Sequence, residues 1–381
     1  MRNKSYDVIV LGLDPVGSAT VYELAKRGLK VLGLENPSSR KETGNATRII
    51  RESYHEVPGS VKMTHHAIQL WRQLEAESGI PLLRITGGLV IGAPDSLLIR
   101  GSLQTAHRYN LLTDYILPSE LSSSFPQFSL DDRFSVIFEP NSGVLFANSA
   151  ISAYLQVASR HGAQIKNSET VTQWYKAHDH LIVETTQGLY RASQMVISGE
   201  SWVRRPASRQ EKPQKLQRRI SLQLQPEKSG DFIPEKFPVF TLEVPEGRFE
   251  GFPLLPGQGL KIELYEILEA EEREINQVSK IKNYIDRVEA SIAQYLPGAF
   301  ANLDSSPITT YTVRPYKRSL LERHPVNTRI IHATGLSEQD FGIASMLGEG
   351  LAEMVTEVFT PYSSEVKQLF SSDFVPQMPC V

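Results

Sequence analysis

The sequence predicts an α/β fold: a Rossmann-like domain split along the chain, carrying an α+β insert built on an antiparallel sheet. Three observations predict it. The chain opens on strand, tight turn, helix and strand between Tyr6 and Glu35. Strand and helix patterns then interleave along 381 residues, a length that suits two domains and a sizeable core. Between them lies one long block rich in short strands. The expected division gives residues 1–80, 145–215 and 325–365 to the dinucleotide-type domain. Residues 81–144 and 216–324 form the second domain, and 366–381 a tail.

The opening unit is justified residue by residue. Val8 to Leu11 is an apolar run without a polar break, as in a strand buried on both faces. Gly12-Leu13-Asp14-Pro15-Val16-Gly17 falls where a phosphate-binding turn belongs. Ser18 to Arg27 carries apolar residues at helical spacing, and Gly28 stops that helix. Lys30 to Leu34 is the second strand. Glu35 ends it about twenty residues past the turn, where an acid would bind the hydroxyls of an adenosine ribose. The pattern departs from G-x-G-x-x-G at its second glycine, which is Asp14. That aspartate adds bulk and negative charge where a pyrophosphate would meet a helix N-terminus. The stretch therefore predicts a dinucleotide fold and leaves open a βαβ unit with no ligand.

After a polar loop comes Thr47-Arg48-Ile49-Ile50-Arg51. On one side of a helical turn, Arg48 and Arg51 would clamp a carboxylate or a phosphate. The alternative is two solvated arginines with the isoleucines in the core. Gly59 to Ser78 reads as an amphipathic helix with Ile68, Trp71 and Leu74 on one face. His65 and His66 lie on it about 100° apart, a poor metal pair, so both are expected to be structural or exposed. Leu83 to Gly92 reads as strand, turn, strand. Asp95 to Tyr109 reads as helix, and Ser119 to Phe128 as a short helix and loop. Ile137 to Phe146 is again strand, turn, strand, and Asn148 or Ser149 is expected to cap a helix reaching about His161.

Short strands follow at Gln164–Lys166, Val171–Tyr175, Leu181–Thr185, Leu189–Arg191 and Met195–Ser198. Arg204 to Arg219 holds seven basic residues against Glu211, a solvated loop or a surface for an anionic partner. Ile220 to Tyr265 returns to strands, and Glu271 to Tyr295 is a helix ended by Pro297-Gly298. Ile308–Val313 and Ile330–Ala333 are strands, and Phe341 to Phe359 is a last long helix.

Composition narrows the function classes. Net charge is -3, so no global basic field argues for nucleic acid. The one cysteine, Cys380, excludes a disulfide framework and argues against a Cys-ligated metal. There is no run of 18 apolar residues, and the first residues carry no apolar signal region. The expectation is a soluble, cytoplasmic protein without a membrane partner.

Several stretches together resemble a known family. They are Val8 to Gly12 with Gly17-Ser18-Ala19, Thr47 to Arg51, Phe138-Glu139-Pro140-Asn141-Ser142-Gly143, Gly251-Phe252-Pro253, and Gly335-Leu336-Ser337 with Leu347-Gly348-Glu349. They occur in the order seen in monomeric sarcosine oxidase and N-methyltryptophan oxidase, and the resemblance covers about Tyr6 to Phe359. It implies an FAD domain plus a substrate domain whose sheet covers the flavin. It also implies oxidation of secondary amines of amino acids, with O₂ reoxidising the flavin, in proteins that are often monomers.

The resemblance carries roles onto single residues. Gly12, Asp14, Val16, Gly17, Glu35, Arg48, Gly335, Asp340 and Phe341 match positions near the cofactor. Arg51, Arg48 and Gln339 match positions near the substrate. Lys261 matches the lysine over the flavin face that assists O₂ activation, where a cation stabilises forming superoxide.

The departures share one sign. Asp14, Glu200, Glu338 and Asp340 bring acids to the cofactor positions, and Gly342 replaces the lysine that would hold the substrate carboxylate. Thr309 replaces the cysteine that links the flavin, so any FAD would be noncovalent. Like charges beside a dianionic cofactor predict weakened or lost FAD binding. Lys261, Glu263 and Tyr265 alternate along one strand and share a face, a set suited to general acid–base work. Three functions stay open: non-redox acid–base chemistry on an amine or amino-acid-derived compound, noncovalent FAD-dependent amine oxidation producing H₂O₂, and silent binding.

Overall fold

The computed structural model describes residues 4–36, 47–53, 60–198, 216–268, 278–303, 309–313, 320–334, 336, 339–364 and 370. Its first sheet is centred on Lys4–Leu11, which pairs in parallel with Val31–Leu34 on one side and Leu189–Ser198 on the other. Gln164–Lys166 extends one edge, and Ile330–Thr334 continues the parallel order past Leu189–Ser198. Leu320–Arg323 is antiparallel to Ile330–Thr334, and Val171–Ala177 and His180–Thr185 form an antiparallel meander with Leu189–Ser198.

The two-residue period of the first strand sorts its side chains. Val8 and Val10 enter the core shared with the helices Pro15–Lys26, Ala147–Arg160 and Ala344–Thr356. Ile9 and Leu11 enter a second core against the meander, which Tyr6 joins outside that alternation through Tyr190. Burial on both faces is why this stretch has no polar break.

The second sheet has nine strands among the described residues. Leu216–Gln225 pairs with Leu260–Leu268, followed by Gly247–Phe252, Val239–Val244, Gly88–Gly92, Ser135–Glu139 and Asp114–Ile116. Leu260, Ile262 and Leu264 face a core that includes Val288 and Ile292 of the helix Val278–Tyr295. A small third sheet, Thr47–Ile50, Gly143–Phe146 and Leu83–Ile85, lies where the chain passes between the two large ones.

Several local expectations need correction. Thr47–Ile50 is a strand and not a helical turn, because it pairs with Gly143–Phe146. Leu189–Ser198 is one strand, its polar Arg191 and Gln194 notwithstanding. The helix expected to be capped by Asn148 or Ser149 starts at Ala147, with Phe146 at the cap position and no side-chain cap. Arg218 and Arg219 lie on a strand paired on both sides. Residues 204–215 lie outside the described residues. The last helix is divided: Gln339–Ile343 is a 3-10 turn, Ala344–Thr356 is α-helical, and Glu357 ends it in the left-handed conformation at φ 58°. No described helix is long and apolar enough to cross a membrane.

Candidate functional site

The opening turn is wound tightly. Gly12 has φ 92°, and a Cβ at Gly17 would lie 1.9 Å from the Gly12 carbonyl oxygen, so only glycine fits there. The helix begins at Pro15, whose missing N–H costs nothing in the first turn. Asp14 is its N-cap, at φ -63° and ψ 178°. The Asp14 Oδ1 accepts from the Gly17 N–H at 2.8 Å. Ser198 Oγ, at the end of the neighbouring strand, donates to both carboxylate oxygens at 2.8 and 2.9 Å. Burial pushes the Asp14 pKa up, these hydrogen bonds oppose the shift, and the charge of Glu35 adds to it.

Glu35 also turns inward. Its Oε2 accepts from the Leu13 N–H at 2.7 Å and its Oε1 from the Asn36 N–H at 2.8 Å. Val16 is buried in the core under the turn. The sequence carried a signal for this arrangement: Asp followed by Pro is a strong N-cap and first-position pair. Read as a damaged glycine motif, the same dipeptide hides its capping role.

Lys261 and Glu263 lie on the side of Leu260–Leu268 that faces away from the second-sheet core. They are 4% and 2% exposed, and Lys261 Nζ is 2.9 Å from Glu263 Oε1. Nζ also donates to the Thr47 carbonyl at 3.1 Å and lies 4.0 Å from the centroid of the Phe252 ring. Phe252 is the cross-strand partner of Lys261, which fixes that contact. Tyr265 is half-buried, and its hydroxyl donates to Glu250 Oε2 at 2.8 Å, beside Arg248. The structure thus brings Lys261 and Glu263 into one ion pair and holds Tyr265 on Glu250.

The two arginines do not form one clamp. Arg48 lies on the strand Thr47–Ile50 and Arg51 just past its end, so the two do not share one side of a helical turn. Arg48 Nη1 donates to the Thr47 carbonyl at 3.0 Å, and its guanidinium lies 5.9 Å from the Phe341 ring centroid. Arg48 and Lys261 therefore converge on one carbonyl oxygen. Arg51 is 4% exposed and lines a different, small cavity with Glu139 and Ser142.

Phe341 is buried in the 3-10 turn and stacks on Trp71, whose Nε1–H donates to the Gly342 carbonyl at 2.9 Å. Asp340 is half-buried beside it. Thr309 opens the strand Thr309–Val313, opposite Ser221. Glu200, Gly335 and Glu338 lie outside the described residues, as does the side chain of Gln339.

The family described as FAD dependent oxidoreductase matches residues 7–354. The chain belongs to that family. The chain is 30% identical to monomeric sarcosine oxidase of Arthrobacter sp. (strain TE1826) over 367 residues, covering 92% of each chain. It is 28% identical to N-methyl-L-tryptophan oxidase of Citrobacter koseri over 363 residues, covering 91% of this chain and 94% of that one. The fold is similar to that of glycine oxidase from Geobacillus kaustophilus, with a TM-score of 0.75 at 16% identity and 98% of this chain covered.

For an FAD dependent oxidoreductase the turn at 12–17 is where a pyrophosphate would take backbone N–H donors. In this chain the Leu13 and Gly17 N–H groups already donate to carboxylates of the chain itself. As arranged, this donor set does not fit a second, dianionic acceptor.

Sequence reasoning missed one buried polar cluster. Glu139 is 1% exposed, and both Ser53 Oγ and Ser142 Oγ donate to its carboxylate. Nearby, Glu52 meets His65 Nε2 at 2.5 Å and accepts from Asn141 Nδ2 at 3.1 Å. The signal was the Glu139-Pro140-Asn141-Ser142 stretch, which also belongs to the family resemblance. His66 is structural as expected, 2.6 Å from Glu349 and stacked on Tyr362. No metal-binding group of three His, Cys, Asp or Glu occurs among the described residues.

Proposed function

We propose that this chain is a sarcosine oxidase-like protein that acts on a small amine or amino-acid-derived compound by proton transfer at Lys261 and Glu263, with FAD binding weakened or lost. The observation that carries the reading is the buried Lys261–Glu263 pair, 2.9 Å apart and facing Thr47 and Arg48. In a weakly polar interior, such a pair interconverts between ionic and neutral forms without changing its total charge. Lys261 Nζ is then the acid that meets a substrate heteroatom. Glu263 takes up or returns the proton across the short contact. Arg48, whose charge lies beside the same carbonyl as Lys261, orients a substrate carboxylate. Tyr265, held by Glu250, lies farther along the same face.

The relatives' names support the substrate class: sarcosine and N-methyl-L-tryptophan are both secondary amines bearing a carboxylate. The second reading, noncovalent FAD-dependent oxidation of such an amine with release of H₂O₂, is favoured by the retained, buried Lys261.

The test incubates flavin-free protein with a panel of N-methyl amino acids and related imines in D₂O, and follows product formation and deuterium uptake by NMR. Native protein turns over at least one compound, and Lys261→Met and Glu263→Gln each lower that rate by about 10²-fold or more. Unchanged turnover in both variants defeats the assignment of roles. Peroxide released only after FAD is added establishes the second reading, and no turnover in either assay leaves a binding protein.

A further inference from the structure

We infer that Asp14 is an internal substitute for the ligand anion: its carboxylate takes the place at the helix N-terminus that a pyrophosphate would fill, and so closes the dinucleotide turn. This deepens the reading that FAD binding is weakened and rests on it. The turn has kept its shape. Gly12 holds a positive φ, and Gly17 still approaches its carbonyl too closely for any side chain. What has changed is who accepts the hydrogen bonds.

The Gly17 N–H points out of the first helical turn and ends on Asp14 Oδ1. Ser198, at the end of the adjacent parallel strand, closes over both carboxylate oxygens. Glu35 removes another donor by accepting from the Leu13 N–H. Three donors that converge on the turn from three elements are thus satisfied by two side chains of the chain itself. A helix N-terminus favours one anion because its dipole and its free N–H groups act together. Once a carboxylate has taken both, a diphosphate gains no donor there and meets a like charge instead.

The arrangement also satisfies the turn's own donors. An Asp N-cap satisfies a first-turn donor that has no partner within the helix. On this account the acid stabilises the turn and excludes the dinucleotide by one and the same contact.

The experiment measures FAD affinity of the full chain by isothermal titration and by the shift in melting temperature with added FAD. Native protein is compared with Asp14→Ser and Asp14→Gly. Serine keeps an N-cap oxygen without the charge, so that variant folds even if the glycine variant does not. The expected result is weak or undetectable FAD binding by native protein. Asp14→Ser binds at least about tenfold more tightly, and Asp14→Gly on the order of a hundredfold. Only the variants then melt at higher temperature when FAD is present.

If native protein already holds FAD with a Kd well below about 1 μM, the weakened-cofactor reading falls and this inference with it. If native protein binds weakly and neither variant binds better, the weakened-cofactor reading survives and the role given to Asp14 is overturned.

Discussion

His332 lies on the strand Ile330–Thr334 at 8% exposure, and among the described residues neither of its ring nitrogens has a hydrogen-bond partner. Burial, and secondarily the neighbouring His324 ring 5.4 Å away, hold its pKa down at about 4. The unfolded chain takes up this proton near the ordinary imidazole value of 6.5, well before the folded chain does. Stability from this residue is therefore complete above about pH 6.5 and is lost as pH falls toward 4. Between pH 7 and pH 5 the loss should be about 1–2 kcal/mol. Urea denaturation at the two pH values measures it, and His332→Leu should flatten the slope by that amount.

Residue types were legible in the sequence where their effect is local. Asp14-Pro15 could be read as a cap from two letters. The partners of Lys261 could not, because its hydrogen bond to Thr47 spans 214 positions. The clamp left open for Arg48 and Arg51 assumed a helical turn, whereas Arg48 lies on a strand and Arg51 just past its end.

At the scale of elements, the opening and closing helices meet closely. A Cβ at Gly348 would lie 2.4 Å from the Cβ of Ala19, so the contact depends on that glycine. Glu23 is buried in the same contact, and its pKa is raised to about 7, first by burial and then by the charge of Glu349. Arg27, 3.8 Å away, offsets part of this.

The sign is opposite to that of His332. Folded Glu23 keeps a proton that the unfolded chain releases near pH 4.5, so its contribution is whole below about 4.5 and lost as pH rises through 7. Glu23→Gln removes the titration. Its stability relative to native protein should rise by about 1–3 kcal/mol between pH 5 and pH 8, read from paired denaturation curves. The helices themselves were legible from their 3.6-residue period. The sheet assignments were not: Leu83 to Gly92 and Ile137 to Phe146 each read as strand, turn, strand, and at both turns the chain leaves one sheet for another. Alternation tells a strand from a helix and says nothing of its neighbour.

Across the whole molecule, the small sheet of Thr47–Ile50, Gly143–Phe146 and Leu83–Ile85 lies between the two large ones, and Glu139 anchors its border. Ser53 leaves the first of these strands, and Ser142 precedes the second. Removing the carboxylate strands two buried hydroxyls and opens a cavity, so Glu139→Ala should cost about 2–4 kcal/mol in denaturant unfolding. A loss under about 0.5 kcal/mol would show that the cluster does not hold the border together. The division into a sheet with a parallel centre and a second, mostly antiparallel sheet followed from the order of the strand patterns. This polar seam did not, because its members come from separate stretches of chain.

The Trp71 contact has a spectroscopic consequence. The protein has three tryptophans, and Trp71 is fully buried, stacked on Phe341 and bonded to the Gly342 carbonyl. Phe341 in turn lies under the Arg48 guanidinium. An indole in that position is an intrinsic fluorophore wired to the site's edge. A small molecule that displaces Arg48 or lifts the 3-10 turn changes its emission with no label attached, and the difference between native protein and a Trp71→Phe variant isolates that signal from the other two.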